Sequence, residues 1–545
     1  MTGRDCFVTA FLAVTGGDCF VTAFLAMTGR SCCRATFLAV TGRGCFGSGR
    51  LAMAGHCEER SDEAIFLSMP PLTFFWHDYE TFGRVPRRDR PAQFAGVRTD
   101  ADLNEIEAPL TLYCHPPRDS LPDPQSCLLT GILPQHCAHH GVPETQFAAT
   151  IEAQLSRPGT VGVGYNSIGF DDEVTRFLFW RNLIEPYGRE WQNDCGRWDL
   201  LDTVRCAFAL RPEGIQWPKN GEGRHSFKLE LLTQANGLAH DAAHDALSDV
   251  RATLALARLI KQRVPRLWDF CLRLRSKHAV KAELVLGKPV LHVSGRYPVE
   301  RGCLAVVWAL APHPFRPNEV IVWDLAQDPR VLTSLSAQEI RQRIFSRAAD
   351  LPEGVTRLPI KTIHLNQSPV VISNLKTLSP AMAERWGVDW TVIDRHVLAA
   401  GSIMGDMAGV WEEVFKSATP EGFVDVDEDL YGGFLGDDDR RLLQRLRQLD
   451  PQALAREQPR FRDERLQELL FRYRARNFLE TLSDEERSQW EAHRYARLLA
   501  PSSPGSLDPL SAYFEQLDAL SEATDERGQE ILSALYEWAQ EIAPG

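Results

Sequence analysis

The chain has 545 residues, 44% apolar and 24% charged, with a net charge of −13. That length suits roughly three or four ordinary domains, and the composition is that of a soluble globular protein. No run approaches the ~20 apolar residues needed to span a bilayer, and the negative charge excludes a molecule that is basic overall, so a polyanion must be met by a local basic patch or a metal site.

Residues 2–53 are a direct repeat of period 13: Thr2–Val14 recurs at 15–27 and more loosely at 28–40 and 41–53. Thirteen fits neither a heptad nor an 11-residue supercoil and is shorter than known solenoid units. The apolar run Phe7–Val14 is short for a signal peptide and recurs instead of ending at a cleavage site. Residues 1–68 therefore read as a non-structural extension outside the fold, with Met69 as the expected initiator. Six of the 13 cysteines fall in the first 57 residues, and no C-x-x-C pair stands among the other seven. Neither a zinc ribbon nor a disulfide framework is indicated, and a reducing cytoplasm fits.

From Leu72 the pattern is that of an α/β unit over 69–264. Leu72–Trp76 predicts a buried strand ending in polar residues, with Gln93–Arg98, Leu110–Cys114 and Thr160–Tyr165 as further strands. Apolar spacing predicts helices over Asp171–Leu183 and Ala243–Lys261. Over 265–415, short β-type runs at Val285-Leu286, Val290–Val293, Leu304–Trp308, Val320–Trp323 and Ile360–Leu365 alternate with Gly, Pro and Asn, predicting a small β-rich domain. Residues 420–545 are charged sequence with Leu and Phe at helical spacing, and predict a helical domain.

Asp78-Tyr79-Glu80 puts two carboxylates on one face of a strand, where a divalent cation would relieve their repulsion. Alone this triplet is weak, since about two are expected by chance in so acidic a chain. Asp171 stands at a helix start, where an N-cap is the plainer reading. His244 and Asp249 are five apart at the start of the last helix of the unit; a neutral imidazole there can accept a proton. Together, hard oxygen ligands without Cys or paired His suit Mg²⁺ or Mn²⁺ over Zn²⁺. Two such ions about 4 Å apart suit phosphodiester displacement.

The order D-x-E, Asp before a helix, then H-x4-D resembles the DEDD superfamily of 3′→5′ exonucleases, in its histidine-bearing branch. His77–Gly83, Asp89–Phe94, Gly164–Asn166 with Phe170–Arg176, Arg197–Asp202, Ala209–Ile215, His292–Gly295 and Tyr473–Phe478 resemble the bacterial exodeoxyribonuclease I family. The likeness runs from Leu72 onward and is absent from 1–68. It implies a ribonuclease H-like α/β exonuclease domain, an SH3-like β-rich domain and a C-terminal α-helical domain closing a channel around single-stranded DNA. The implied activity is processive release of 5′-mononucleotides from the 3′ end, in DNA repair and recombination.

The resemblance assigns Asp78, Glu80 and Asp249 as ligands of two Mg²⁺ ions, with Mn²⁺ as a substitute. Asp171 completes the acidic set and His244 is the general base. Strand contacts fall on Arg176, Tyr187, Trp191 and Arg205, with Glu80 and Lys228 at the nucleotide. Lys228 replaces the family's Arg, keeping the charge but losing the bidentate fork. Arg211 matches a position that docks the acidic C-terminal tail of single-stranded-DNA-binding protein. The basic stretch Arg258–Lys288 and the Arg472, Arg474, Arg476 series are expected to line the channel. A cytoplasmic monomer is expected, without membrane contact. The competing readings are an exoribonuclease of the same superfamily, a non-catalytic single-stranded nucleic-acid-binding protein, and a proofreading subunit; the last leaves ~280 residues unexplained.

Overall fold

The computed structural model describes residues 70–240, 245–403, 405, 407, 409–416, 424–501, 503 and 506–544, together with two strands near the N-terminus. The chain divides into two units, 1–67 and 68–545. In the first, β1 (Thr9–Thr15) and β2 (Asp18–Phe24) pair antiparallel, Thr15 opposite Asp18.

The second unit opens with a five-stranded sheet made of β3 (Thr73–Thr81), β4 (Pro91–Thr99), β5 (Leu110–Tyr113), β6 (Thr160–Gly164) and β7 (Gly196–Asp199). Its order is β5-β4-β3-β6-β7. The first three strands are antiparallel, and β6 and β7 run parallel to β3. Three helices, α1 (Pro124–Thr130), α2 (Pro134–His140) and α3 (Glu144–Leu155), connect β5 to β6. Then come α4 (Asp171–Arg181), α5 (Leu200–Leu210), α6 (Leu229–Ala235), α7 (Ala246–Arg263) and α8 (Pro265–Arg273). Both faces of the sheet are covered, as parallel strands require. One face packs Phe75, Tyr79 and Phe94 against Phe147, Ile151, Val174 and Leu178 of α3 and α4. The other packs Phe74, Trp76, Val161 and Val163 against α5 and α7.

A second five-stranded, fully antiparallel sheet follows, built from β8 (Pro289–Val293), β9 (Leu304–Pro312), β10 (Glu319–Asp324), β11 (Ile360–His364) and β12 (Val370–Ile372) in the order β11-β10-β9-β8-β12. Its core is continuous with that of the first sheet. The Trp386 ring lies 5.1 Å from Phe208, tilted at 44°, and its indole N–H donates to the Ala209 carbonyl at 2.8 Å. Trp268 of α8 meets Trp198 at 4.7 Å, so the connection between the two sheets is packed into the first sheet's core. The C-terminal part is helical and includes helices over Arg465–Asn477, Asp484–Leu498, Pro509–Ser521 and Glu526–Ile542.

Two expectations are corrected. Val285-Leu286 is not a strand; it is an exposed turn leading into β8, whose first residue is Pro289. The strand expected over Leu72–Trp76 runs on to Thr81, because the β4 partner continues through Pro91 and supplies hydrogen bonds past Trp76. No helix among the described residues is long and apolar enough to cross a membrane.

Candidate active site

The extension of β3 gives Asp78 and Glu80 their geometry. Alternation turns His77 and Tyr79 into the buried layer and leaves Asp78 and Glu80 together on the opposite, partly open face. Asp249 enters from the first turn of α7, whose N-cap Asp245 accepts from the Ser248 amide at 3.1 Å. Carboxylate oxygens of Asp78, Glu80 and Asp249 all lie within 4.8 Å of one another.

Asp171 is the first residue of α4, but Phe170 is the N-cap, so the N-cap reading of Asp171 is not what the structure holds. Its Oδ1 instead accepts from the Tyr79 backbone amide at 3.1 Å, tying the helix start to the β3 segment between Asp78 and Glu80. The Thr175 hydroxyl lies 2.8 Å from the Asp171 carbonyl and 3.0 Å from the Tyr79 hydroxyl, fixing the same junction.

These carboxyl groups hold their protons unusually tightly. Burial, then the charges of Asp171, Glu80, Asp249 and Asp245, raise Asp78 well above the usual carboxylate range. Burial, then Asp249 and Asp171, push Glu80 up to about 8. Burial, then the neighbouring Asp172, push Asp171 up to about 8. Such a set is costly to ionise without a cation and welcomes one. Its donors are all oxygens, which suits a hard divalent ion.

His244 lies outside the described residues. The structure adds a histidine the sequence reading missed: His240 Nε2 sits 2.5 Å from Asp249 Oδ1, and its Nδ1 lies 3.2 Å from the Thr233 hydroxyl. An imidazole held at both nitrogens orients the carboxylate it touches. The repeated dipeptide His240-Asp241, His244-Asp245 was the available signal.

The remaining expected contacts form separate groups. Arg176 is buried; it makes a two-point ion pair with Glu190 (2.8 and 3.0 Å), meets Glu173 at 2.5 Å and lies 5.2 Å over the Tyr187 ring. Trp191 is 66% exposed. Beside them stand two aromatics from the helical domain that sequence spacing gave no reason to single out. Phe434, 88% exposed, is 6.1 Å from Tyr187, and Tyr431 donates to Glu173 at 2.5 Å. Arg205 pairs with Asp202 at 2.7 Å, and its guanidinium lies against Gly295 so closely that a Cβ there would sit 2.7 Å away. Lys228 is exposed just before α6, with Nζ 3.7 Å from Glu230. Arg211 reaches the Thr377 carbonyl at 3.2 Å and lines a cavity with Arg266, Leu267, Phe270 and Asn374.

Arg472, Arg474 and Arg476 do not line a channel. All three side chains are at most 10% exposed and ion-paired, Arg472 to Asp425 (2.6 Å), Arg474 to Glu486 (2.5 Å) and Arg476 to Asp119 (2.8 Å) and Asp427. In the sequence they read as a basic stripe because most of their acidic partners, Asp119, Asp425, Asp427 and Glu486, lie outside their own helix.

Three family models match in succession: Exonuclease over 75–257, Exonuclease I SH3-like domain over 275–417 and Exonuclease I C-terminal domain over 424–542. Exodeoxyribonuclease I of Escherichia coli (strain K12) is 42% identical over 476 residues, covering 86% of this chain and 98% of the relative. The Haemophilus influenzae exodeoxyribonuclease I is 42% identical over 433 residues, covering 78% and 91%. Among solved structures, exonuclease I from Methylocaldum szegediense aligns with a TM-score of 0.81 at 49% identity, covering 86% of this chain and 99% of that one. E. coli exonuclease I in complex with a dA16 oligonucleotide aligns with a TM-score of 0.81 at 42% identity, covering 87% and 100%. With three matching domains in order, and an acidic cluster on β3, α4 and α7, the chain belongs to the exodeoxyribonuclease I family of 3′→5′ exodeoxyribonucleases.

Proposed function

We propose that the chain degrades single-stranded DNA processively from the 3′ end to 5′-mononucleotides, using two divalent cations, Mg²⁺ or Mn²⁺ in its place. The observation that carries this reading is the approach of Asp78, Glu80 and Asp249 oxygens to within 4.8 Å, in a setting where burial and the neighbouring carboxylates raise Asp78 and Glu80. E. coli exonuclease I has been solved with oligonucleotides and, in one single-stranded DNA complex, with zinc ion bound.

In this reading Asp78, Glu80 and Asp249 hold the ions, and Asp171 completes the acidic set. The bound cations supply charge stabilisation for the attacking and leaving oxygens of the phosphodiester. The chain does the rest. Asp171, anchored on the Tyr79 amide, fixes the spacing between β3 and α4. His240 holds Asp249 in place. His244 takes the proton of the attacking water, a task suited to a neutral imidazole.

Upstream, Tyr187, Trp191 and Phe434 offer ring faces on which bases can stack whatever their sequence. Arg176 acts mainly by setting Tyr187 and Glu190. Arg205 neutralises phosphate, and Lys228 and Glu80 meet the terminal nucleotide. The cavity at Arg211 takes the acidic tail of single-stranded-DNA-binding protein. The catalytic body comprises 69–264, 265–415 and 420–545, works as a cytoplasmic monomer, and owes nothing to residues 1–68.

The test is a substrate comparison in Mg²⁺. Wild-type protein should release mononucleotides from the 3′ end of single-stranded DNA, and Asp78→Ala should abolish release while largely preserving binding. Digestion of RNA with single-stranded DNA left intact would overturn the assignment.

A further inference from the structure

The dipeptide His-Asp stands twice before α7, as His240-Asp241 and His244-Asp245, so the sequence offers two imidazoles to one cluster of carboxylates. The geometry at His240 separates their tasks. Its Nε2 lies 2.5 Å from Asp249 Oδ1, and its Nδ1 lies 3.2 Å from the Thr233 hydroxyl. With both ring nitrogens engaged, this imidazole cannot take a proton from water without giving up a bond. Its side chain is only 7% exposed, so solvent competes little for either contact.

The brace is rooted in α6. The Thr233 hydroxyl lies 2.9 Å from the Leu229 carbonyl and 3.0 Å from that of Glu230, the back-bonding a threonine makes inside a helix. Thr233 is fully buried, and Leu229 and Leu232 of the same helix pack in the core that holds Ala246 and Val250 of α7. One end of the imidazole is therefore tied to a packed helix. The other holds a carboxylate that its neighbours repel. Asp249 is kept within 4.8 Å of oxygens of Asp78 and Glu80, and turning about its own side-chain bonds is the easiest way for it to relieve that crowding.

We propose that His240, anchored by Thr233, is a positioning residue that keeps the Asp249 carboxylate turned into the cluster and so sets the cluster's affinity for divalent cations, leaving proton transfer to His244. This rests on the reading of Asp78, Glu80 and Asp249 as the ion ligands and deepens it. A carboxylate already aimed at the ion needs no reordering when the ion arrives, and partners of this kind change metal affinity by about 10–100-fold.

The test measures Mn²⁺ binding to the full-length protein without DNA, by calorimetry, and single-stranded DNA turnover as a function of Mn²⁺ concentration. His240→Ala should weaken Mn²⁺ binding at least about tenfold. His240→Gln, whose amide can still donate to Asp249, should weaken it less, and Thr233→Val should weaken it by a smaller factor than His240→Ala. The fall in turnover of His240→Ala should be recovered by raising Mn²⁺, with the shape of the pH–rate profile unchanged, whereas His244→Gln should stay slow at every Mn²⁺ concentration. Wild-type Mn²⁺ affinity in His240→Ala would overturn the proposal, as would turnover that no Mn²⁺ concentration restores. Should His240→Ala lose the wild-type circular dichroism, Thr233→Val decides, and wild-type affinity there overturns the proposal equally. Asp78→Asn keeps the two readings apart: if it too binds Mn²⁺ as the wild type does, the assignment of the ion ligands is what fails.

Discussion

Asp171 and Asp172 are consecutive residues on the first turn of α4, both buried, and they titrate in opposite directions. Asp172 lies between Arg189 (2.5 Å) and Arg197 (2.9 Å), whose charges hold its carboxyl far below the usual range. Asp171 faces Asp78 and Glu80 and is pushed up to about 8. The contrast extends to whole clusters. Asp119 and Asp427 are surrounded by Arg90, Arg472, Arg476 and Arg497 and are held well below their ordinary values. Burial is common to both kinds of group and raises a carboxyl's pKa in every case; the arginines reverse it. One set of acids is already satisfied by the protein and serves the fold. The other is held close together at a cost in stability, as metal sites often are.

The contrast can be broken by substitution. Removing a charge from the mutually repelling set should cost function and not stability: Asp171→Asn should lower nuclease turnover by orders of magnitude and raise the melting temperature of the metal-free protein. Asp172→Asn should instead strand two buried guanidinium groups and destabilise by about 3–5 kcal/mol. Paired turnover and melting measurements on the two variants read this directly, and matching melting shifts would refute the contrast. Arg476→Met should cost a similar ~3–5 kcal/mol, because Asp119 and Asp427 lose their shared partner. A denaturation midpoint equal to wild type would mean the network contributes nothing.

The pH dependence sharpens the same point. Glu80 and Asp171 titrate near 8 in the folded chain, against about 4 in the unfolded one. Between those values the folded state binds more protons, so this contribution to stability falls as pH rises from about 4 to about 8. For Asp119, Asp172 and Asp427 the folded pKa is depressed, so their contribution is present above about 4 and lost as pH falls below it. Melts in EDTA from pH 5 to 8 should therefore show a decline that Asp171→Asn reduces. Mg²⁺ binding should release protons, detectable by calorimetry in buffers of different ionisation enthalpy. The smallest effect concerns the aromatic group. Phe434→Ala should leave stability within about 0.5 kcal/mol and weaken single-stranded DNA binding by about 1–3 kcal/mol, the value of one stacked base. An unchanged affinity would remove Phe434 from the strand's path.

Local pattern revealed much of this and missed the rest for identifiable reasons. The D-x-E triplet on a strand was readable because alternation fixes which side chains share a face. The helix that carries Asp249 was readable through apolar periodicity, Asp249 itself only through its spacing from His244, and the order of domains through resemblance along the chain. His240 was passed over because His244 has the expected spacing, and only the fold brings His240 to Asp249. Phe434 and Tyr431 lie about 250 residues from Tyr187 and Glu173, beyond any local pattern. The Arg472–Arg476 series looked available for phosphate because two of its acids, Asp119 and Asp427, lie outside any local pattern. Strand β12, three residues long, is too short for periodicity to show.

The arginine network at Asp119 and Asp427 joins segments more than 300 residues apart, with side chains no more than a few per cent exposed at its centre. Mobile ions reach such pairs poorly, whereas contacts to a DNA backbone are weakened steeply by added salt. Raising ionic strength should therefore strip the strand from the enzyme long before it loosens the junction between the nuclease sheet and the helical domain. High salt becomes a reversible release step, after which the protein can be returned to low salt and recharged with substrate.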